Sequence, residues 1–235
     1  MYEKSADIYD PLHDFKDYGA EAANVHGRIQ RQNPRARKLL DVACGTGRHL
    51  EHLSAWYDVS GVDISRELLA VARGRCRGIP LYEADMSDFA LGETYDVITC
   101  LFSSIASVRT EERLRAALRS MRSHLRPNGA ILIEPWFTPE SLWTGTITAN
   151  FADEPGRKIA WMYVTDPPRD GVLVIDHHFV VGEPSGIRHF TERQELGVFT
   201  DEQYRSAFEQ AGLGVEHDSQ GPTGRGLYVG TARGS

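Results

Sequence analysis

Short apolar runs alternate with stretches of helical period through the first 134 residues. Segments 59–63 and 81–86 read as short strands with an acid at or next to their ends, while residues 39–43 (Leu39-Leu40-Asp41-Val42-Ala43), 95–102 and 130–134 are largely apolar throughout. Runs of that kind read as strands covered on both faces, as in a parallel sheet. Between them the apolar positions recur at three and four residues. Leu68, Leu69 and Ala72 mark a helix over 65–76, with Ser65 as N-cap and Glu67 in its first turn. Leu114, Leu118, Met121 and Leu125 mark another over 110–125, capped by Thr110. A helix over 48–57 follows the first run. Before it, Tyr18, Ala22, Val25 and Ile29 give a helix within 16–31. Pro127-Asn128-Gly129 reads as a turn.

The alternation stops after the fifth run. Residues 138–193 are rich in β-branched and aromatic residues with Gly and Pro between them. Segments 158–165, 172–181 and 188–199 read as antiparallel strands. A helix over 200–211, capped by Thr200 and ended by Gly212, returns the chain to the main body. Strands at 215–217 and 227–231 then form an antiparallel pair around a Gly-rich loop, 221–226. The pattern therefore predicts an α/β fold with a mostly parallel seven-stranded sheet and an antiparallel β insertion after the fifth strand.

Composition narrows the function class. A 41% hydrophobic content over 235 residues supports one sizeable core. The net charge of −7 argues against a nucleic-acid partner, which usually meets a basic face. No apolar run approaches the ~20 residues that cross a bilayer, and the polar start, Met1-Tyr2-Glu3-Lys4, does not read as a secretory signal. Cys44, Cys76 and Cys100 lack metal-site spacing and read as reduced thiols, so a cytoplasmic protein without a metal is expected.

The chemistry concentrates at the strand ends. The first strand runs into Cys44-Gly45-Thr46-Gly47, where small residues let backbone approach a ligand closely. Position 50 is Leu50, so the third glycine of a dinucleotide fingerprint is missing. The second strand ends in Asp63, and a carboxylate at that distance suits the two hydroxyls of a ribose. The third ends in Asp85-Met86.

This series, with Asp41-Val42-Ala43-Cys44-Gly45-Thr46-Gly47 followed by Val62-Asp63-Ile64, Ala84-Asp85-Met86 and Tyr95-Asp96-Val97-Ile98, resembles the class I S-adenosylmethionine-dependent methyltransferases. The resemblance implies a Rossmann-like fold and S-adenosylmethionine as cofactor. It places Asp41, Ala43, Cys44, Gly45 and Gly47 beside the methionine part. Asp63 takes the ribose hydroxyls with Ile64 next to it, Asp85 the adenine amino group, and Met86 the adenine edge. Leu101 and Phe102 border the cofactor. Tyr9 and Tyr18, in an N-terminal cover, are candidates for the methionine carboxylate and the sulfonium, or else packing tyrosines.

A narrower resemblance rests on Ile8-Tyr9-Asp10, Lys16-Asp17-Tyr18, Leu101-Phe102-Ser103-Ser104, Glu134-Pro135-Trp136 and the run from Gly221 to Leu227. It is to bacterial TDP-amino-sugar N,N-dimethyltransferases of macrolide deoxysugar biosynthesis, the desosamine and mycaminose type. It implies a substrate-binding β cap at 138–195 inserted in a cofactor-binding domain of 1–137 and 196–235. It also implies a sugar-nucleotide site at Ser104, Trp136, His178 and Arg225, with Arg225 forking onto the pyrophosphate. Catalytic candidates are Tyr2, Ser107 and His178, with His177 as an alternative for orienting the substrate. Ser107 stands where relatives carry a histidine, and serine is a poor base at neutral pH. Two other readings stay open at this point: a methyltransferase for another small natural product, and a non-catalytic cofactor-binding protein. A homodimer through the cap is a further expectation.

Overall fold

The computed structural model describes residues 4–232. Five strands form the parallel body: β1 (Lys38–Val42), β2 (Asp58–Asp63), β3 (Leu81–Glu83), β4 (Tyr95–Cys100) and β5 (Leu125–Ile133). The closing pair, β10 (Leu213–Asp218) and β11 (Leu227–Ala232), is antiparallel, and β11 runs antiparallel to β5. The sheet order is β10-β11-β5-β4-β1-β2-β3.

The continuous apolar runs are explained by the two cores. Leu39, Val59, Val97 and Leu132 face α2 (Tyr18–Gln32) and α3 (Arg48–Leu53) in one cluster. Leu40, Val62, Ile98 and Ile131 face α5 (Glu111–Ser123) and α6 (Asp201–Gln210) in the other. Successive side chains of a strand point to opposite faces, so a strand covered on both sides is apolar throughout. The third predicted helix, α4 (Arg66–Arg75), is capped by Ser65 as expected, its hydroxyl accepting from the Leu68 N–H.

The insertion is a four-stranded antiparallel meander: β6 (Ile147–Glu154), β7 (Arg157–Val164), β8 (Val172–Glu183) and β9 (Gly186–Gly197). The pattern predicts only the last three. β6 alternates exposed and half-buried positions at an edge, so it lacks a clear apolar stripe. The inner face buries Ile159, Phe179 and Val181 against Ile8 and Leu12, the N-cap and the last residue of the short helix α1 (Tyr9–Leu12). Asn150 Nδ2 donates to the Leu12 carbonyl at 2.7 Å, tying α1 to the cap.

Some boundaries differ from expectation for local reasons. The turn at 127–129 lies inside β5 as a bulge, where pairing with β4 jumps from Tyr95↔Leu125 to Val97↔Ala130. β4 ends at Cys100 instead of reaching Phe102. Phe102 and Ser103 have φ of 51° and 60°, which turns the chain out of the sheet above the strand tips.

Candidate active site

The strand tips converge on one crevice. The Gly45 N–H donates to Asp63 Oδ2 at 2.8 Å, and the Ser65 N–H donates to Asp63 Oδ1 at 2.8 Å. Gly45 has φ of 55°, and the place of its missing Cβ is open space. Gly47 differs: with φ of 78°, its Cβ would stand 2.7 Å from Cys76 Sγ. Gly45 thus opens room for a ligand, whereas Gly47 lets α4 pack against the loop.

Burial outweighs these N–H bonds at Asp63 and raises its carboxyl above the usual range. Asp85 moves the other way. Burial would raise it, but donation from the Ser87 N–H and hydroxyl, and from Arg113 at 2.6 Å, holds it below the usual carboxylate range. Asp41 is fully buried under the loop and takes a hydrogen bond from Thr99 Oγ1 at 2.7 Å. Burial pushes its carboxyl up to about 6.

Two adjoining cavities occupy the crevice. One, of about 370 Å³, is walled by Val62, Asp63, Asp85, Met86 and Arg113. Asp63, Asp85 and the apolar sides fit a nucleoside, with carboxylate lone pairs left for hydroxyls and an exocyclic amine, while the third acid, Glu195, pairs with Arg109 at 2.8 Å. The second, of about 470 Å³, lies between the strand tips and the inner face of the cap. The two share Ala43, Asp63, Ile64, Met86, Ser107 and Arg193 as walls. An adenosine in the first would direct its 5′ substituent past Gly45 into the second, so the residues present fit S-adenosylmethionine.

Tyr9, Phe102, Ser104, Trp136 and Arg225 line the second cavity. Tyr18, Asp41, Cys44, Gly47 and Leu101 stand behind the walls and line neither cavity. Tyr18 is buried with its ring edge against His49, 4.9 Å between centroids, and burial raises its hydroxyl far above the usual range. Tyr2 lies outside the described residues.

His178 must be corrected. Along β8, Ile175, His177 and Phe179 face the cavity, and His178 points to the opposite face beside His189. The two-residue period of a strand decides this, and the register was not readable from two adjacent histidines. His177 is the inward one. Its Nδ1 accepts from Trp161 Nε1 at 2.9 Å, and its Nε2 stands 2.8 Å from Gln194 Oε1.

Several residues in or behind the cavity walls have no role in the sequence-based expectation. Glu134 is buried, accepting from the Phe102 N–H at 2.7 Å and from the Thr223 hydroxyl. Its signal was present: an acid closing a buried strand. Ser103 donates to the Pro135 carbonyl at 2.6 Å and accepts from Arg225 at 3.3 Å. His13 and Trp161 lie on segments whose approach to the crevice depends on the cap.

A family described as a methyltransferase domain matches residues 39–129. The dTDP-3-amino-3,4,6-trideoxy-alpha-D-glucopyranose N,N-dimethyltransferase of Streptomyces venezuelae is 39% identical over 98% of this chain and 99% of its own length. The dTDP-4-amino-2,3,4,6-tetradeoxy-D-glucose N,N-dimethyltransferase of Saccharopolyspora spinosa is 40% identical over 96% of this chain and 91% of its own. Among solved structures, Streptomyces venezuelae DesVI superposes with a TM-score of 0.92 at 37% identity, covering 98% of this chain and 99% of that one. CalS10 of Micromonospora echinaspora, an amino pentose methyltransferase solved with S-adenosylmethionine bound, superposes with a TM-score of 0.87 at 35% identity, covering 99% and 98%. With the acids at the β2 and β3 tips and the roofed cavity above them, these relationships place the chain in the S-adenosylmethionine-dependent methyltransferases, in the family of the TDP-amino-sugar N,N-dimethyltransferases.

Proposed function

We propose that this enzyme transfers two methyl groups, one after the other, to the amino group of a TDP-linked deoxyamino sugar. The observation that carries the substrate reading is Arg225. Its guanidinium lines the second cavity, facing Phe102, Trp136 and Phe137 at 5.2 to 5.8 Å from their ring centroids. A planar fork of donors held between aromatic rings suits a pyrophosphate next to a sugar.

S-adenosylmethionine supplies a methyl group already activated on a sulfonium. The chain's task is to hold, orient and dry the reactants. Asp63 would hold the ribose hydroxyls, and Asp85 with Met86 the adenine. Ala43, Gly45, Ile64 and Phe102 would border the cofactor, with Tyr9 over the methionine end. Tyr18, Asp41, Cys44, Gly47 and Leu101 would act from behind the walls by fixing the strand tips. Arg225 and Trp136 would hold the nucleotide-sugar. Ser104 and Ser107, on the short 3-10 helix Ser104–Val108, would face the sugar from the cofactor side.

The segment 138–195 would act as a substrate-covering unit on the 1–137 and 196–235 body. Its outer face exposes Ile147, Met162 and Val164, between 48% and 71% accessible. Such a face suits burial against a second copy. Light scattering should then give a dimer mass that Met162→Glu converts to monomer. The three cysteines are free and buried, in keeping with a reducing cytoplasm.

Mass spectrometry with S-adenosylmethionine and a panel of TDP-3-amino and TDP-4-amino deoxysugars tests the reading. Stepwise gain of two methyl groups on one of them is expected, and TDP should inhibit. No methylation across the panel would overturn it.

A further inference from the structure

His13 is a second inward-facing histidine beside His177. It follows α1 and lines the second cavity. Its Nδ1 lies 2.7 Å from the Tyr9 carbonyl oxygen. A carbonyl can only accept, so Nδ1 carries the ring proton and Nε2 carries the lone pair. Among the described residues, the Tyr9 carbonyl is the hydrogen-bond partner of this ring, and it engages only Nδ1. The ring itself is held by Tyr9 at 4.3 Å, by Phe102 edge-on at 5.4 Å and by Trp161 at 6.1 Å.

His177 provides the contrast. Indole N–H groups only donate, so Trp161 fixes His177 Nδ1 as the acceptor. His177 Nε2 then carries the proton and donates to Gln194 Oε1. Both nitrogens are engaged, and His177 has no lone pair to offer. Of the two inward histidines, His13 alone presents one.

We propose that His13 Nε2 takes the proton from the substrate ammonium before each methyl transfer. This rests on the reading of the acceptor as an amino sugar. In the step, a nitrogen–proton bond of the ammonium breaks and an Nε2–proton bond forms. The freed nitrogen lone pair then bonds the methyl carbon, and the carbon–sulfur electron pair leaves with sulfur. The methylated nitrogen is again a cation. His13 passes its proton to water at the cavity mouth, where Phe15 is 72% exposed, and takes the next one.

The surroundings suit that cycle. A sulfonium close by disfavours a second cation, which loosens the ammonium proton. The groups that act on His13 electrostatically are Lys16, Asp10 and His177. Burial is the largest influence, and it lowers the His13 pKa, so the ring is neutral and ready to accept at pH 7. Once protonated, it lies among the faces and edges of Phe102 and Trp161.

The test is the pH profile of kcat for the wild-type enzyme, His13→Asn and His13→Gln, with a sugar nucleotide that the wild type methylates. Asparagine keeps a donor for the Tyr9 carbonyl but removes the distal lone pair. The Gln variant checks the result with a longer amide. We expect kcat at pH 7 to fall by about a hundredfold in both, with the KM for S-adenosylmethionine unchanged. The gap should close as pH rises towards the pKa of the amine, and imidazole should restore part of the His13→Asn rate. The proposal is overturned if His13→Asn stays within about twofold of wild type at pH 7. It is equally overturned if the loss is the same at every pH and indifferent to imidazole. Absence of wild-type methylation would instead sink the amino-sugar reading beneath it.

Discussion

Glu134 Oε1 stands 4.0 Å from Arg225 Nη1, an acid at 1% side-chain exposure facing a guanidinium at 23%. Each oxygen of the acid already accepts one hydrogen bond, Oε2 from the Phe102 N–H and Oε1 from the Thr223 hydroxyl. The guanidinium is therefore positioned by Glu134 without being consumed by it. Most of its donors remain for an anion in the cavity.

Arg225→Lys should therefore raise the KM for the sugar nucleotide by about tenfold to a hundredfold, or about 1.4 to 2.8 kcal/mol. A lysine keeps the charge but loses the fork. Cofactor affinity by calorimetry should hold within about twofold, since Arg225 does not line the cavity walled by Asp63 and Asp85. Equal losses for both ligands would contradict the assignment.

Asp63→Asn should weaken S-adenosylmethionine binding by about 1.5 to 3 kcal/mol, the range for hydrogen bonds to a charged group. Asparagine keeps one acceptor for the N–H groups of Gly45 and Ser65 but cannot accept from both ribose hydroxyls as well. Isothermal titration at neutral pH reads this directly, and an unchanged Kd would argue that the ribose sits elsewhere.

Gly61→Ala tests the packing under the site. A Cβ at Gly61 would stand 2.7 Å from both Cys44 Sγ and Leu50 Cδ1, and 2.8 Å from Leu81 Cδ2. Overpacking of this kind costs about 1 to 3 kcal/mol. Urea unfolding should show that loss; a variant as stable as wild type would mean that the loop and α3 can move aside.

Asp41 makes a pH prediction. Its folded pKa of about 6 lies above the model-peptide value of 3.8. The folded state therefore binds the proton more tightly, and its charged form costs stability above pH 6. That cost is relieved as pH falls from 6 towards 4 and levels off below. The shift corresponds to a contribution of order 3 kcal/mol. Asp41→Asn should remove this part of the pH dependence, measured as the difference in urea unfolding between pH 4.5 and 7.5. Parallel curves for the two proteins would contradict the burial argument.

What the sequence made legible follows from how each residue is fixed. Leu39, Leu40, Val62 and Ile98 are covered from both sides, so their apolar runs identified the parallel strands without any neighbour information. Asp63 and Asp85 sit at strand ends by chain position alone, and they line one crevice as expected. His178 failed because a one-residue register choice sends a side chain to the opposite face, and the sequence gives two adjacent histidines without a turn to set the register. β6 was missed because an edge strand of the cap has no deeply buried positions. The tautomers of His13 and His177 depend on Tyr9 and Trp161, partners that only the folded chain brings into reach.

The positions of both ligands in one complex give the most direct measurement. A crystal structure with S-adenosylhomocysteine and the TDP-amino sugar should put the ribose hydroxyls on Asp63, the adenine amine by Asp85, and the pyrophosphate on Arg225. The sugar nitrogen should then lie between the thioether sulfur and His13 Nε2. A nucleoside bound away from Asp63 and Asp85, or a pyrophosphate away from Arg225, would contradict it.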